Sequence, residues 1–197
     1  MTFRLGLTGS IGMGKSTTAR LFAAEGCAVW DADAAVHRLY AAGGAAVEPM
    51  RAVFPDAIMD GAVSRDALKR MIGEDPSVLT LIERIVHPLV AADRMAFSAE
   101  TETEITVFDI PLLFEKETET QLDAVVCVTV PAEVQRARVL GRGTMTEAQF
   151  DAIIAKQMPD AEKRARADYV IVTDTVEHAR AQVQSVLRDI RENRLNA

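Results

Sequence analysis

Cysteine is scarce in this chain: Cys27 and Cys127 are the two in 197 residues. Each sits in an apolar, strand-like run, with no C-x-x-C neighbour and no histidine at ligand spacing. They read as buried free thiols in a reducing compartment rather than as disulfide partners or zinc ligands. The three histidines, His37, His87 and His178, are too scattered to form a metal site. Long hydrophobic runs are missing as well, and nothing approaches the roughly 18 apolar residues of a membrane span. The opening MTFRLGLTG lacks a signal-peptide layout, because a strand begins almost at once. The expectation is a cytoplasmic protein with no membrane partner. A basic excess is also absent, and a net charge of −7 argues against a broad nucleic-acid surface. Within that acidic total, arginine outnumbers lysine by 17 to 5. The guanidinium fork suits phosphate, although a coding bias produces the same ratio.

What the chain does contain is GLTGSIGMGKSTTARLF, residues 6–22. Gly9, four residues, Gly14, Lys15 and Ser16 match the G-x-x-x-x-G-K-[ST] spacing of a phosphate-binding loop. Glycines permit a tight turn whose N–H groups converge on an anion. The helix that starts near Lys15 adds its unpaired N–H donors and the positive end of its dipole. Lys15 supplies a mobile charge for the outer phosphates and Ser16 a hydroxyl for Mg²⁺. On this reading the Lys15 side chain touches phosphate rather than core, so its removal is expected to spare stability. The context fits the motif: Phe3, Leu5 and Leu7 alternate as in a strand, and STTARLFAAEG reads as a helix ending at Gly26.

Five apolar runs read as buried strands, at 3–8, 27–31, 105–109, 124–130 and 169–173. AVVCVTV and YVIVT are almost continuously apolar, as in parallel strands covered on both faces. Helical patterns at 15–25, 132–141, 146–158 and 176–192, with several between 34 and 97, alternate with them. The fold class is therefore α/β, a phosphate-loop core on a five-stranded parallel sheet. About 70 residues separate the second and third strands, more than a crossover needs, and read as a helical substrate-binding insertion. The expected division is a core of 1–33 and 98–197, carrying a lid at about 132–166, and a helical subdomain at 34–97, together one compact unit. EKETETQ (115–121) reads as a solvated loop.

The carboxyl edge of such a sheet forms the ligand crevice. WDAD places Asp31 and Asp33 there, where the second strand is expected to give way to a loop. One of the pair can serve merely as a helix N-cap, and Asp33 is the catalytic candidate. Asp109 in TVFDIPLLFE ends the third strand, in the position of a metal-orienting carboxylate. Leu112, Leu113 and Phe114 follow as apolar groups at the crevice edge, for which core packing is a sufficient alternative. In QRARVLGRG, Arg138 and Arg142 are four apart and share a helix face, whereas Arg136 points elsewhere. Two arginines on one face suit a lid that clamps phosphates; a solvated basic face is the plainer reading. His87, before Pro88 in an apolar context, reads by itself as a satisfied core or turn histidine.

The combination resembles one family, dephospho-coenzyme A kinase. GLTGSIGMGKST is similar to its phosphate loop, DAD (31–33) to its acidic motif, and VSRDALKRMI with LIERIVHPLV to its helical substrate region. DIPLLFE (109–115) is similar to a distinctive family string, QRARVLGR and AKQM to its lid, and ADYVI (167–171) to its last strand. The resemblance implies ATP-dependent phosphorylation of the ribose 3′-hydroxyl of dephospho-coenzyme A, with ATP and Mg²⁺ required. It implies that Gly9, Gly12, Met13, Gly14, Lys15, Ser16 and Thr17 bind ATP, with Ser16 and Asp109 at the metal. Asp33 becomes the base, Arg142 the lid arginine on the transferred phosphoryl group, and Lys15 the third catalytic residue. Thr8, Asp33, His87, Leu112 and Leu113 are implied at the acceptor substrate. Two positions depart from the pattern: Gly143 stands where the family often has Asp, and VTDTV follows the last strand in place of Asn and Gly. The nearest rival is a kinase of another small hydroxyl substrate, which lacks the RIVHPLV region. A GTP-driven switch is disfavoured because no N-K-x-D guanine motif occurs.

Overall fold

The structure is a computed structural model and describes residues 2–195. In chain order the elements are β1 (Phe3–Thr8), α1 (Lys15–Ala24), β2 (Ala28–Asp31), α2 (Ala32–Tyr40) and α3 (Val47–Val53). Then come β3 (Ile58–Met59), β4 (Ala62–Val63), α4 (Arg65–Glu74), α5 (Ser77–Glu100) and β5 (Ile105–Asp109). The last are β6 (Ala124–Thr129), α6 (Ala132–Leu140), α7 (Glu147–Ile154), α8 (Asp160–Arg166), β7 (Tyr169–Val172) and α9 (Val176–Asn193). Contacts divide the chain into two compact units, one of residues up to Trp30 with those from Thr101 onward, the other Asp31–Glu100.

The first unit is built on a sheet of strand order β2-β5-β1-β6-β7. β1 is central and pairs in parallel with β5 and β6, and β6 pairs in parallel with β7. β1, β5 and β6 are buried along almost their whole length, because helices cover both faces. That burial explains why the alternation of Phe3, Leu5 and Leu7 is not matched by polar residues between them. The exception is Arg4, at the strand's exposed start, where its guanidinium and N–H both bond Asp123. On one face Leu5, Leu7, Val126 and Val128 pack with Leu21 and Phe22 of α1 and Val183, Leu187 and Ile190 of α9. Each such side chain contributes on the order of 1.5–3 kcal/mol when fully removed from water. On the opposite face Val125 packs with Leu113 and Phe114. Register brings Leu7 beside Asp109 and Thr8 beside Cys127, so β1 and β5 end within a residue of each other and β6 runs two residues further. Both cysteines are free and buried.

The second unit packs Leu39, Met50, Phe54, Leu68, Ile82 and Val86 into a core of its own. Arg38 on α2 holds Asp93 on α5 at 2.6 Å. α5 runs unbroken through Pro88, which removes one intrahelical bond. Buried Val86 and half-buried Leu89 and Val90, packed on the core around it, keep the axis continuous. A two-strand hairpin, β3–β4, was not expected. Its turn is Asp60-Gly61, both at positive φ (50° and 78°), the Asp-Gly geometry that matches strand twist.

Three boundaries differ from the sequence reading. β2 passes directly into α2 at Asp31, so no loop follows WDAD. The helix expected at 146–158 is only α7, ending at Ile154, and α8, whose N-cap is Pro159, is a further helix beyond that pattern. α6 stops at Leu140 with Gly141 as its C-cap.

Candidate active site

The segment between β1 and α1 has the geometry that its sequence requires. Gly14 is the N-cap of α1 at φ 91°, and no side chain caps the helix. The N–H groups of Lys15 and Ser16 are thereby left for an external anion. A Cβ on Gly14 would lie 2.6 Å from Thr173 Oγ1, and one on Gly12, at φ 79°, 2.4 Å from Val139 Cγ2. Only glycine combines that backbone with that clearance. Thr17 and Thr18 donate their N–H groups to the Gly14 carbonyl, each at 3.1 Å. Met13 is committed inward. Its side chain is buried, its N–H bonds the Ser10 carbonyl at 3.1 Å, and its carbonyl accepts from Thr173 Oγ1 at 2.7 Å. Ser16 is exposed at the first turn and Thr17 half-buried.

Lys15 makes an ion pair with Asp109, a residue buried at the end of β5. The register Leu7 to Asp109 produces this approach. The expectation that Lys15 has no structural role is therefore corrected: in the ligand-free protein its ammonium is the counter-ion of a buried carboxylate. Thr8 is fully buried, and its hydroxyl donates to the Pro111 carbonyl at 3.2 Å. Leu112 is exposed. Leu113 is fully buried against Phe114 and Val125, so its assignment to a substrate surface does not hold; the core claims it.

The three arginines separate. Arg136 pairs with Glu147 and with Asp151 at 2.6 Å on α7, and its guanidinium lies over the Phe150 ring. Arg138 donates to Thr173 Oγ1 at 3.1 Å and to the Thr173 carbonyl at 2.6 Å. Arg142 lies beyond the end of α6 and is exposed. The shared helix face expected for Arg138 and Arg142 is not formed, because Gly141 ends the helix between them. Gly143 follows at φ 64°, a left-handed turn that fits glycine where the family pattern has Asp.

Glu115 is no solvated loop residue. Its Oε1 lies 2.8 Å from Nζ of the fully buried Lys163 on α8 and accepts the Met158 N–H at 3.0 Å. Burial pushes this carboxyl up, but the Lys163 ammonium and the Met158 N–H outweigh it and hold the pKa below its ordinary value.

In the second unit Asp31 is the N-cap of α2, accepting from the Ala34 N–H at 2.9 Å. Asp33, on the first turn of α2, is exposed. His87 is neither a core nor a turn residue. It sits mid-helix on α5 with an exposed side chain, 3.8 Å from Glu83. Sequence reasoning passed over Thr173, Gln135, Gln157 and Lys163. Only the buried, patterned context of the last strand and of AKQM hinted at them.

The family model described as dephospho-CoA kinase (CoaE) matches residues 3–178. A Ruegeria pomeroyi dephospho-CoA kinase is 66 % identical over 197 residues, covering 100 % of both chains. A solved Thermus thermophilus structure superposes with a TM-score of 0.84 at 34 % identity, covering 96 % of this chain and 98 % of that one. The dephospho-CoA kinase of Campylobacter jejuni shares the fold, with a TM-score of 0.69 at 21 % identity, over 96 % of this chain and 98 % of that one. The chain belongs to the dephospho-CoA kinase family.

Proposed function

We propose that the protein transfers the γ-phosphoryl group of ATP to the ribose 3′-hydroxyl of dephospho-coenzyme A, giving coenzyme A and ADP, the last step of coenzyme A synthesis. The observation that carries this reading is the glycine loop that opens α1 uncapped beneath Lys15, in a chain of this family. The backbone N–H groups of Gly12, Gly14, Lys15 and Ser16 receive the phosphates. Lys15 exchanges Asp109 for the outer phosphates, and its charge offsets the one that builds up during transfer.

Ser16 and Asp109 supply a hydroxyl and a carboxylate, the oxygen donors that Mg²⁺ prefers. No group of three or more His, Cys, Asp or Glu able to hold a metal occurs among the described residues. When bound, Mg²⁺ neutralises charge on the transferred phosphate.

Asp33 accepts the proton of the attacking hydroxyl. Asp31 is occupied as a cap, whereas the Asp33 side chain is exposed on the first turn of α2. Arg142, exposed on the turn after α6, reaches the transferred group as the exposed turn between α6 and α7 closes. His87 and Leu112, both exposed on the surface, contact the acceptor. The enzyme works on small molecules in the cytoplasm, and no helix among the described residues is long and apolar enough to cross a membrane.

The test is incubation of purified protein with ATP, Mg²⁺ and a panel of hydroxyl acceptors, including shikimate, gluconate and nucleoside monophosphates. Phosphorylated product from dephospho-coenzyme A alone supports the reading. Equal turnover of another acceptor refutes it.

A further inference from the structure

The crest of the phosphate loop is gripped by two glutamine side chains from different elements. Gln135, on α6 and nearly fully buried, donates from Nε2 to the Ile11 carbonyl at 2.7 Å. Gln157, in the segment between α7 and α8, accepts the Ile11 N–H on Oε1 at 3.2 Å. The two bonds fall on the two peptide planes that flank Ile11. A planar trans peptide points its C=O and the following N–H in opposite directions. Gln135 therefore sets the orientation of the Gly12 N–H through the Ile11 carbonyl, and Gln157 sets the plane before it. The same α6 surface closes on Gly12, where a Cβ would meet Val139 Cγ2 and the Gln135 backbone oxygen.

Gln157 is itself anchored. Its N–H bonds the Ile154 carbonyl at 3.1 Å. Its neighbour Met158 donates to Glu115, the partner of buried Lys163. Both grips thus come from well-packed parts of the first unit, and neither ends in solvent. Flexible glycine loops lose ligand affinity when binding must order them.

We infer that Gln135 and Gln157 are positioning residues for ATP: they hold the loop crest in its phosphate-receiving form through the Ile11 backbone without touching the ligand. This rests on reading the loop as the ATP site. Because Ile11 offers both its backbone groups to glutamines, its own amide is not one of the phosphate donors. The arrangement also makes the chemistry at each position directional, since position 135 must donate and position 157 must accept.

The test uses the full chain with Gln135→Met, Gln157→Met and the double variant, near-isosteric changes that remove the donor and the acceptor. ATP affinity is read by titration calorimetry, and kcat and KM for both substrates by steady-state assay. Each single variant is expected to weaken ATP by roughly tenfold while the KM for dephospho-coenzyme A stays within about twofold. Both bonds act on one residue, so the double variant is expected to weaken ATP by far less than the product of the single effects. A general loss of stability would move both substrates together and would not show this split. If Gln135→Met fails to fold, Gln157→Met decides alone, since its side chain is only half-buried. Wild-type protein that binds no ATP overturns the reading of the loop and this inference with it. Wild type that binds ATP while the variants match it overturns the positioning role alone.

Discussion

Replacing Lys163 by Met should destabilise the protein more than any exposed charge change. The Nζ of Lys163 is fully buried and lies 2.8 Å from Glu115 Oε1. Met fills a similar volume but leaves Glu115 without its cation, and breaking a buried pair typically costs about 3–5 kcal/mol. For 197 residues unfolding in one transition, the entropy of unfolding is about 0.4 kcal/mol per kelvin, so the melting temperature should fall by about 7–12 °C. The assay is differential scanning calorimetry at pH 7 on wild type, Lys163→Met and the double variant Lys163→Met with Glu115→Leu. The double variant should regain most of the loss, because no buried charge is then left over. Acidity gives a second check. In wild type the Glu115 pKa is depressed, so its contribution is present above the unfolded carboxyl value and lost as pH falls through the folded one. Without Lys163 that depression disappears, and the gap between variant and wild type should narrow as pH falls below about 4.5. A fall of less than about 2 °C at pH 7, or a gap that stays constant down to pH 4, would refute the account of the pair.

Arg142→Lys should lower kcat by about 10²-fold or more and leave the KM for ATP within a few-fold, since a guanidinium on the transferred group acts mainly in the transition state. A change confined to KM would move that role to another residue. Asp33→Asn should bind both substrates nearly as wild type while losing roughly 10²-fold or more in kcat; full turnover by this variant would place the base elsewhere. Burial pushes Cys27 up to about 11 and Cys127 up to about 12. Neither should react with a disulfide reagent at pH 8 until the chain unfolds, and rapid labelling of the native protein would contradict their burial. The same shifts bear on alkaline stability: the thiols' contribution is intact below their ordinary value of 9.0 and is lost as pH rises through the folded values.

The parts of the fold legible in the sequence were those with a local cause. Glycine spacing located the loop, because only glycine supports φ of 79° and 91° with neighbours at 2.4–2.6 Å. Continuous apolar runs located the strands of the sheet, because both faces are covered. The Asp60-Gly61 hairpin was equally local and readable, but its two-residue strands are too short to carry an apolar pattern. Contacts between segments distant in sequence were not legible. Leu112 and Leu113 are adjacent and alike, yet one is exposed and the other sealed by Val125 on a strand twelve residues on. Glu115 stands in a run of charges that reads as solvated, and only α8, more than forty residues later, brings its buried partner. Gln135 and Gln157 meet Ile11 across more than 120 residues. Polar side chains like these have no periodicity to betray their partner.

The pair between Lys15 and Asp109 changes what the simplest loop variant should do. A lysine that touched only phosphate could be removed without cost to the ligand-free protein. Here the Asp109 side chain is 2 % exposed, and the Lys15 side chain, 16 % exposed, lies against it. Lys15→Ala deprives a buried charge of its ammonium, and the partial solvent contact of the pair reduces the penalty to about 1–3 kcal/mol. The expected result without nucleotide is a melting temperature lower by about 2–7 °C, together with loss of measurable transfer. Adding Asp109→Asn should restore most of the stability, since the amide needs no counter-ion, while activity stays absent. The proposed exchange makes a further demand. In wild type, nucleotide draws Lys15 from Asp109 to the phosphates, so nucleotide binding and the ion pair compete for one ammonium. Asp109→Asn alone removes that competition, and without Mg²⁺ it should bind ATP at least as tightly as wild type. The measurement is ATP titration in the presence of a chelator. A Lys15→Ala protein that melts with wild type, together with an Asp109→Asn protein that binds metal-free ATP more weakly, would show that the pair neither stabilises the resting loop nor competes with phosphate.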